Sequence, residues 1–268
     1  MLKLLTIFSL LISSLFARSE TLIPEDVISK LLEKYNSEEK QLIEADLNLI
    51  RELVFRGRSS KKYPYYIATA GAPLNRKTTI LEKVISEETD YQNTVYLDPD
   101  QRALKFMVNT YIARSFNNLE IYKKKDMQKV RSDAYDYWRD ASNYITNTLL
   151  NEAFEKRYDI AHGTTMTGEH SAVFLQKLKN AGYRVELLVC YASQGFRRAA
   201  YEFRNEKQGF YQNSPEDFIE KKKLFDERFE TYSTIPHRMR SYLSVSFGEP
   251  IKPSAICPSQ TLCQINLD

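Results

Sequence analysis

Strands that alternate with helices along most of the chain predict an α/β fold, a three-layer sandwich whose central, mainly parallel sheet is flanked by helices on both faces. Three observations carry that reading. Short apolar runs at 65–70, 93–97, 158–161 and 183–191 read as strands, and helical stretches with apolar residues at spacings of three and four lie between them. The 268 residues are 43% hydrophobic, ample for one large or two small domains with a buried core. Thirty-eight Lys and Arg against 35 Asp and Glu leave a net charge of +3, with no long block of one sign. That balance argues against a bulk electrostatic binder of nucleic acid.

The chain opens with Lys3 and an apolar run from Leu4 to Phe16, followed by Ala17 and Arg18-Ser19-Glu20. The run is too short to cross a hydrocarbon layer of about 30 Å. It has the length of a signal-peptide core. Residues 1–17 are therefore expected to be a signal peptide cut near Ala17, although Leu15 is not the usual small residue at the third position before the cut. Export to a periplasmic or external compartment follows if it is genuine, with no membrane association after its removal. An apolar helix packed on the domain, or an uncleaved anchor, is the other reading, and the protein is otherwise cytoplasmic.

Residues 18–62 form an N-terminal helical segment. Ile28, Leu31, Leu32 and Tyr35, then Leu42, Ile43, Leu47, Ile50, Leu53 and Val54, mark two helices broken near Asn36-Ser37, with Ser37 as the candidate N-cap. They pack on the core or bind another chain. Arg56 to Lys62 reads as an exposed connector. Tyr65 to Ala70 is a buried strand, Gly71 to Arg76 a turn, Lys77 to Ile85 the start of a helix, and Asn93 to Leu97 a second strand ending at Asp98-Pro99-Asp100.

Helices are expected at about 101–125 and 131–157, the second holding Trp138. Tyr158 to Ala161 is a short strand stopping at His162-Gly163-Thr164-Thr165. A helix from Glu169 to Asn180 ends at Ala181-Gly182, where glycine suits a C-terminal cap, and Tyr183 to Tyr191 is the longest strand. Helices near 194–207 and 215–231 precede a strand at Tyr242 to Phe247 and a tail at 251–268. Cys190 reads as a buried strand thiol, whereas Cys257 and Cys263 could close a small disulfide loop in an exported protein. The three histidines show no zinc-ligand spacing with these cysteines.

Gly71-Ala72-Pro73-Leu74-Asn75-Arg76-Lys77-Thr78 carries the most chemistry. A P-loop reads G-x-x-x-x-G-K-[ST]: backbone N–H groups surround phosphates, Lys reaches the β and γ phosphates, and Ser or Thr holds Mg²⁺. The first Gly, Lys77 and Thr78 are in register, while Arg76 replaces the second Gly. The motif follows a strand and opens a helix, whose N-terminus favours anions. A polar turn capped by a helix is the bland alternative. Asp98 and Asp100 end the next strand, where a carboxylate could take a substrate proton or order Mg²⁺; solvated turn acids are the alternative.

Taken together, the loop, the D-x-D, the helix with Ala141-Ser142-Asn143-Tyr144-Ile145, the strand into Gly163-Thr164 and the Gly182-Tyr183-Arg184-Val185 strand resemble the zeta toxin family of P-loop kinases. The resemblance runs from about Tyr65 to Leu224 and implies a P-loop NTPase-like kinase domain over 63–250. It implies ATP and Mg²⁺ as cofactors and phosphorylation of a sugar-nucleotide hydroxyl, the family's characterised substrate being UDP-N-acetylglucosamine. It also raises a neutralising antitoxin as a partner.

Carried over by position, residues Gly71, Ala72, Pro73, Leu74, Asn75, Arg76, Lys77 and Thr78 would hold the nucleotide, with Thr78 on the metal. Asp100 would be the general base, and Lys77 and Arg204 would neutralise the transferring phosphate, with Arg197 and Arg198 nearby. Asp98, Ser142, Asn143, His162, Thr164 and Thr165 would lie near the acceptor. Leu74 and Arg76 stand where the family favours glycine, His162 where it often has an acid, and Gln212 where it has an arginine. A catalytically impaired, secreted binding module and a nucleoside or antibiotic phosphotransferase are the competing functions. His162 either contacts substrate or is satisfied by its neighbours.

Overall fold

The computed structural model describes residues 21–113, 124–204, 215–246, 248 and 251–258. The apolar run at 1–17, Gln212 and Cys263, and with Cys263 the expected disulfide loop, lie outside the described residues. Two N-terminal helices, α1 (Glu25–Lys30) and α2 (Ser37–Phe55), precede the alternating part of the chain. The cap of α2 is Asn36 and not Ser37. The Asn36 side chain accepts from the Glu39 N–H at 2.9 Å while the Glu39 carboxylate accepts from the Asn36 N–H at 3.0 Å, a reciprocal box that Ser37 could not close from inside the first turn.

The alternating part comprises β1 (Tyr65–Ala70), α3 (Lys77–Glu87), β2 (Val95–Leu97), α4 (Lys124–Glu155), β3 (Ile160–His162) and α5 (Ser171–Asn180). It continues with β4 (Arg184–Ala192), α6 (Gln194–Phe203), α7 (Pro215–Tyr232), β5 (Arg238–Ser244) and β6 (Ala255–Pro258). The strands form one sheet in the order β2-β3-β1-β4-β5-β6. All neighbours are parallel except β5 and β6, where Met239 opposes Cys257.

Alternation along β1 divides the core. Tyr66, Ala68 and Ala70 face a layer built from α2, α4, α5 and α7, with Ile43, Leu47, Ile145, Leu149, Leu175 and Phe225 buried there. Ile67 points the other way, onto Ile80, Leu81 and Val84 of α3. The N-terminal helices thus pack on the core, and the ring of Tyr35 stacks on Trp138 with centroids 5.4 Å apart. Among the described residues no helix is long and apolar enough to cross a membrane.

Three elements depart from the sequence reading. In place of the first part of a helix over 101–125, three short turns run through Pro99–Ala103, Leu104–Phe106 and Val108–Ile112, the first and last with wide, π-type bonding. One side chain caps the first turn, and another takes N–H groups that a continuous helix would have used. Asp98 accepts from Asp100 and Gln101 at 2.8 Å each, and buried Asp46 of α2 accepts from Asn109 at 2.9 Å and Thr110 at 3.1 Å. β5 begins earlier than the expected strand at 242–247, because Met239 and Tyr242 fill opposite faces of the sheet. The tail supplies the edge strand β6, which its Pro and Ser content concealed.

Candidate functional site

After β1 the chain runs out to β2, two positions away, and after β3 it crosses to β4 on the other side of β1. Such a switch opens a crevice at the carboxyl ends of the central strands. Residues 71–78 fill it. A β-carbon on Gly71 would overlap the Cys190 carbonyl of β4, and the glycine takes a φ of 142° that side chains avoid. Its N–H donates to Thr165 at 3.1 Å, and the buried Asn75 amide donates to the same Cys190 carbonyl at 2.7 Å. The loop is thereby tied to both flanking strands.

Leu74 and Arg76, where glycine was expected, both adopt left-handed backbone, with φ of 62° and 57°. Such a conformation costs a residue with a β-carbon about 1–2 kcal/mol. Full burial of a leucine returns about 1.5–3 kcal/mol, and Leu74 is 6% exposed in a small cluster with Ala192, Phe196 and Ala200. The Arg76 guanidinium lies over the Phe196 ring, 5.9 Å from its centroid. The loop therefore keeps its turn without the glycines.

Lys77 is the first residue of α3, and no side chain caps that helix. Its ammonium donates to the Ala72 carbonyl at 2.7 Å across the loop, with Pro73 half-buried next to Ala72. Burial lowers its pKa to about 8; the charge of Arg204 pushes in the same direction and that of Asp98 opposes it. Thr78 follows, half-buried on the first turn. Uncapped N–H groups at a helix start, beside a desolvated ammonium, fit a phosphate chain.

Asp98 is buried at the end of β2, and burial raises its pKa even though backbone donors and the charges of Arg139 and Lys77 favour the carboxylate. A β-carbon on Gly163 would overlap the Asp98 carboxyl, which is why the strand exit after His162 needs glycine. Asp100, two residues on, is half-exposed and paired with Arg139 of α4, while Tyr135 donates to it at 3.3 Å.

The remaining expected residues divide into two groups. Thr164 and Thr165 line the crevice mouth. Thr69 at the end of β1 both donates to Thr164 O at 2.7 Å and accepts from its N–H at 3.0 Å, and the Thr165 hydroxyl pairs with that of Thr167 at 2.8 Å. Arg204, just past α6, is half-buried with its pKa lowered by burial, and its charge is felt at Lys77. Arg198 instead pairs with Glu202 on the outside, and Arg197 is drawn to Asp226.

His162 and Ser142 turn away from the crevice. The His162 ring faces the helical layer, with Nδ1 2.8 Å from the Tyr66 hydroxyl and Phe174 beside it, and burial holds its pKa at about 4. The reading satisfied by neighbours describes this histidine. Ser142 is fully buried and its hydroxyl donates to Arg139 O at 2.9 Å within α4, with Asn143 half-buried next to it. Cys190 is the buried strand thiol expected, its pKa raised by burial to about 12.

Sequence reasoning missed Arg139, Tyr135 and Phe196. Their only signal is two polar positions one helical turn apart on the face of α4 that meets Asp100, and an aromatic three residues past the Ser193 cap.

Comparison with known proteins gives a consistent outcome. The family model described as Zeta toxin matches residues 51–234. A comparison with curated protein sequences gives no match. Among solved structures, the PezAT chromosomal toxin–antitoxin system of the human pathogen Streptococcus pneumoniae is similar at 20% identity and a TM-score of 0.56, over 79% of each chain. The native AvrRxo1-ORF1:-ORF2 complex is similar at 14% identity and a TM-score of 0.55, over 85% of this chain and 71% of the other. The AvrRxo1-ORF1:-ORF2 structure with ATP gives 13% and 0.51, over 87% and 72%. At these identities the structures share the fold.

Proposed function

The chain belongs to the zeta toxin family, and on that premise we propose that it is an ATP- and Mg²⁺-dependent kinase acting on the hydroxyl of a sugar nucleotide, with UDP-N-acetylglucosamine the first acceptor to test. The observation that carries the reading is the loop at 71–78, which holds two left-handed turns at Leu74 and Arg76 and presents Lys77 to an uncapped helix start.

Lys77 leaves the Ala72 carbonyl to meet phosphate oxygens, and the first N–H groups of α3 face the same charge. Bound Mg²⁺–ATP supplies the phosphoryl group. Thr78, on the first turn of α3, would hold the Mg²⁺ through its hydroxyl. Arg204 adds positive charge beside Lys77. Asp100 takes the proton of the acceptor hydroxyl, and Thr164 and Thr165 border the acceptor's approach. Little covalent chemistry is asked of the protein, so positioning and charge account for the rate.

Titrating the full chain with ATP–Mg²⁺ should raise its Tm with concentration, because a ligand of the native state stabilises it by mass action. Lys77→Ala should lose that rise, while Asp100→Ala should keep it and lose phosphate transfer. No rise in the wild type, and no transfer to a panel of UDP-sugars and nucleosides, would sink the proposal. A second reading, the impaired binding module, draws on the Arg139 pair that already occupies Asp100; binding without turnover is its signature. The nucleoside or antibiotic phosphotransferase reading separates only by which acceptor is labelled. The likeness to a toxin–antitoxin system supports a neutralising partner, tested by relief of growth arrest on co-expression. The apolar run at 4–16 supports export, tested by sequencing the mature N-terminus.

A further inference from the structure

The two side chains that replace loop glycines do more than tolerate a strained backbone, because both reach the same helix. Leu74 lies in a cluster with Ala192, Phe196 and Ala200, against which Tyr201 also packs, and Arg76 covers the Phe196 ring. A glycine at either position would make neither contact. The helix they reach, α6, has ten residues, is capped by Ser193, whose hydroxyl accepts from the Phe196 N–H at 3.1 Å, and leads directly into Arg204. A helix this short does not hold itself together in water and depends on what it docks against. Its outer face, with Arg198 and Glu202, is solvated. Its inner face is Phe196 and Ala200, which meet Leu74 of the loop and Ala192 of β4, with Arg76 over the Phe196 ring.

We propose that Leu74 and Arg76 are positioning residues that dock α6 on the phosphate loop and so hold Arg204 beside Lys77. The inference rests on the kinase reading only for its consequence in turnover; the docking itself is a property of the free protein. The loop thus sets the place of a cation that a glycine-bearing loop would leave to other contacts. The left-handed strain at both positions is the cost of that link, and the burial of Leu74 offsets it.

Hydrogen exchange on the full chain without nucleotide reads the docking directly. The double variant L74G/R76G should speed exchange of the α6 amides about tenfold or more, with the amides of α2 and β4 unchanged. Phe196→Ala, made from the helix side, should do the same, and Leu74→Met should retain protection. Each glycine substitution relieves a positive φ, which offsets part of the burial lost at Leu74, and the unchanged amides of α2 and β4 report that the fold is intact. Unchanged α6 protection in both L74G/R76G and Phe196→Ala overturns the proposal.

In turnover, L74G/R76G should lower kcat more than it raises the KM for ATP, since Arg204 is displaced while Lys77 and the helix start remain; an unchanged kcat also overturns it. If α6 loses protection as expected but the wild type shows no ATP-dependent rise in Tm, the docking stands and the kinase reading alone falls.

Discussion

The guanidinium of Arg139, in the middle of α4, pairs with the carboxylate of Asp100 on the turn after β2. The partners are 31% and 34% exposed, so the pair contributes only about 0–1 kcal/mol to stability. Its effect is on where Asp100 points. Tyr135, one turn earlier on α4, holds the same oxygen at 3.3 Å. Arg139→Ala should therefore leave the melting temperature nearly unchanged and lower kcat by about ten- to a hundredfold, the usual cost of a misplaced catalytic group. The KM for ATP should hardly move, and Arg139→Lys should recover part of the rate. A proportional rise in that KM would place Arg139 at the nucleotide instead.

Lys77 gives the site a pH dependence whose sign is fixed. Its pKa in the free protein is lowered to about 8, chiefly by burial, and a bound phosphate requires the ammonium. Below about pH 8 the lysine is already charged and affinity is flat; above it, binding must take up a proton and affinity falls by about tenfold per pH unit. Calorimetric titration with ATP–Mg²⁺ from about pH 6.5 to 9.5 reads this, with proton uptake appearing only in the upper half. Affinity independent of pH across that range would show that Lys77 does not face the phosphates.

These two residues also show what the sequence could and could not disclose. The places of Lys77, Thr78, Asp98 and Asp100 were legible because they depend on local order: a strand, then a turn, then a helix start. Arg139 was not, because its partner is far away in the chain and α4 shows a regular helical pattern across that position. The turns at 99–112 were hidden for a related reason, since the acid that captures Asn109 and Thr110 is Asp46 on another helix. Leu74 and Arg76 looked like obstacles to the loop. Their backbone is left-handed all the same, because Phe196, more than a hundred residues on, supplies the cover that makes the strain tolerable.

His162 should make the fold acid-sensitive without making the site so. Burial lowers its pKa to about 4 from an ordinary value near 6.5, so the fold favours the neutral ring bonded to Tyr66. The stability it contributes is complete above about pH 6.5, is lost as pH falls towards about 4, and changes no further below that. The Tm of the wild type should therefore fall more steeply across this window than that of His162→Gln, which keeps a polar partner for Tyr66 and does not titrate. Parallel Tm curves for the two proteins would contradict the buried neutral ring.

Gly163 is needed for space alone, since its backbone is one that any residue adopts, and the Asp98 carboxyl occupies the volume of a β-carbon. Gly163→Ala must displace either the strand exit or Asp98, at about 1–3 kcal/mol for overpacking. Urea unfolding should show that loss, and transfer should fall with it because Asp98 caps the turn that carries Asp100. Gly195→Ala is the control, because nothing lies within reach of a β-carbon there and it sits inside α6. Equal stabilities for the two variants would remove the steric argument.

Asp46 ties the N-terminal helices to the site from a distance. Its carboxylate is fully buried on α2 and accepts from the N–H of Asn109, the Asn109 amide, and the N–H and hydroxyl of Thr110, the last at 2.6 Å. Four donors converge on one carboxylate and are satisfied only while it stays in place. Asp46→Ala strands them all and should cost about 3 kcal/mol or more in urea unfolding. Asp46→Asn keeps the size but only one acceptor oxygen, and should lose less. The turn so anchored is continuous with the one bearing Asp100, whereas the helix that Lys77 opens, α3, packs on the other face of the sheet. At a temperature where the variants remain folded, kcat should therefore fall while the ATP-dependent rise in Tm persists. Loss of both together would mean that α2 supports the whole domain and not the acceptor side alone.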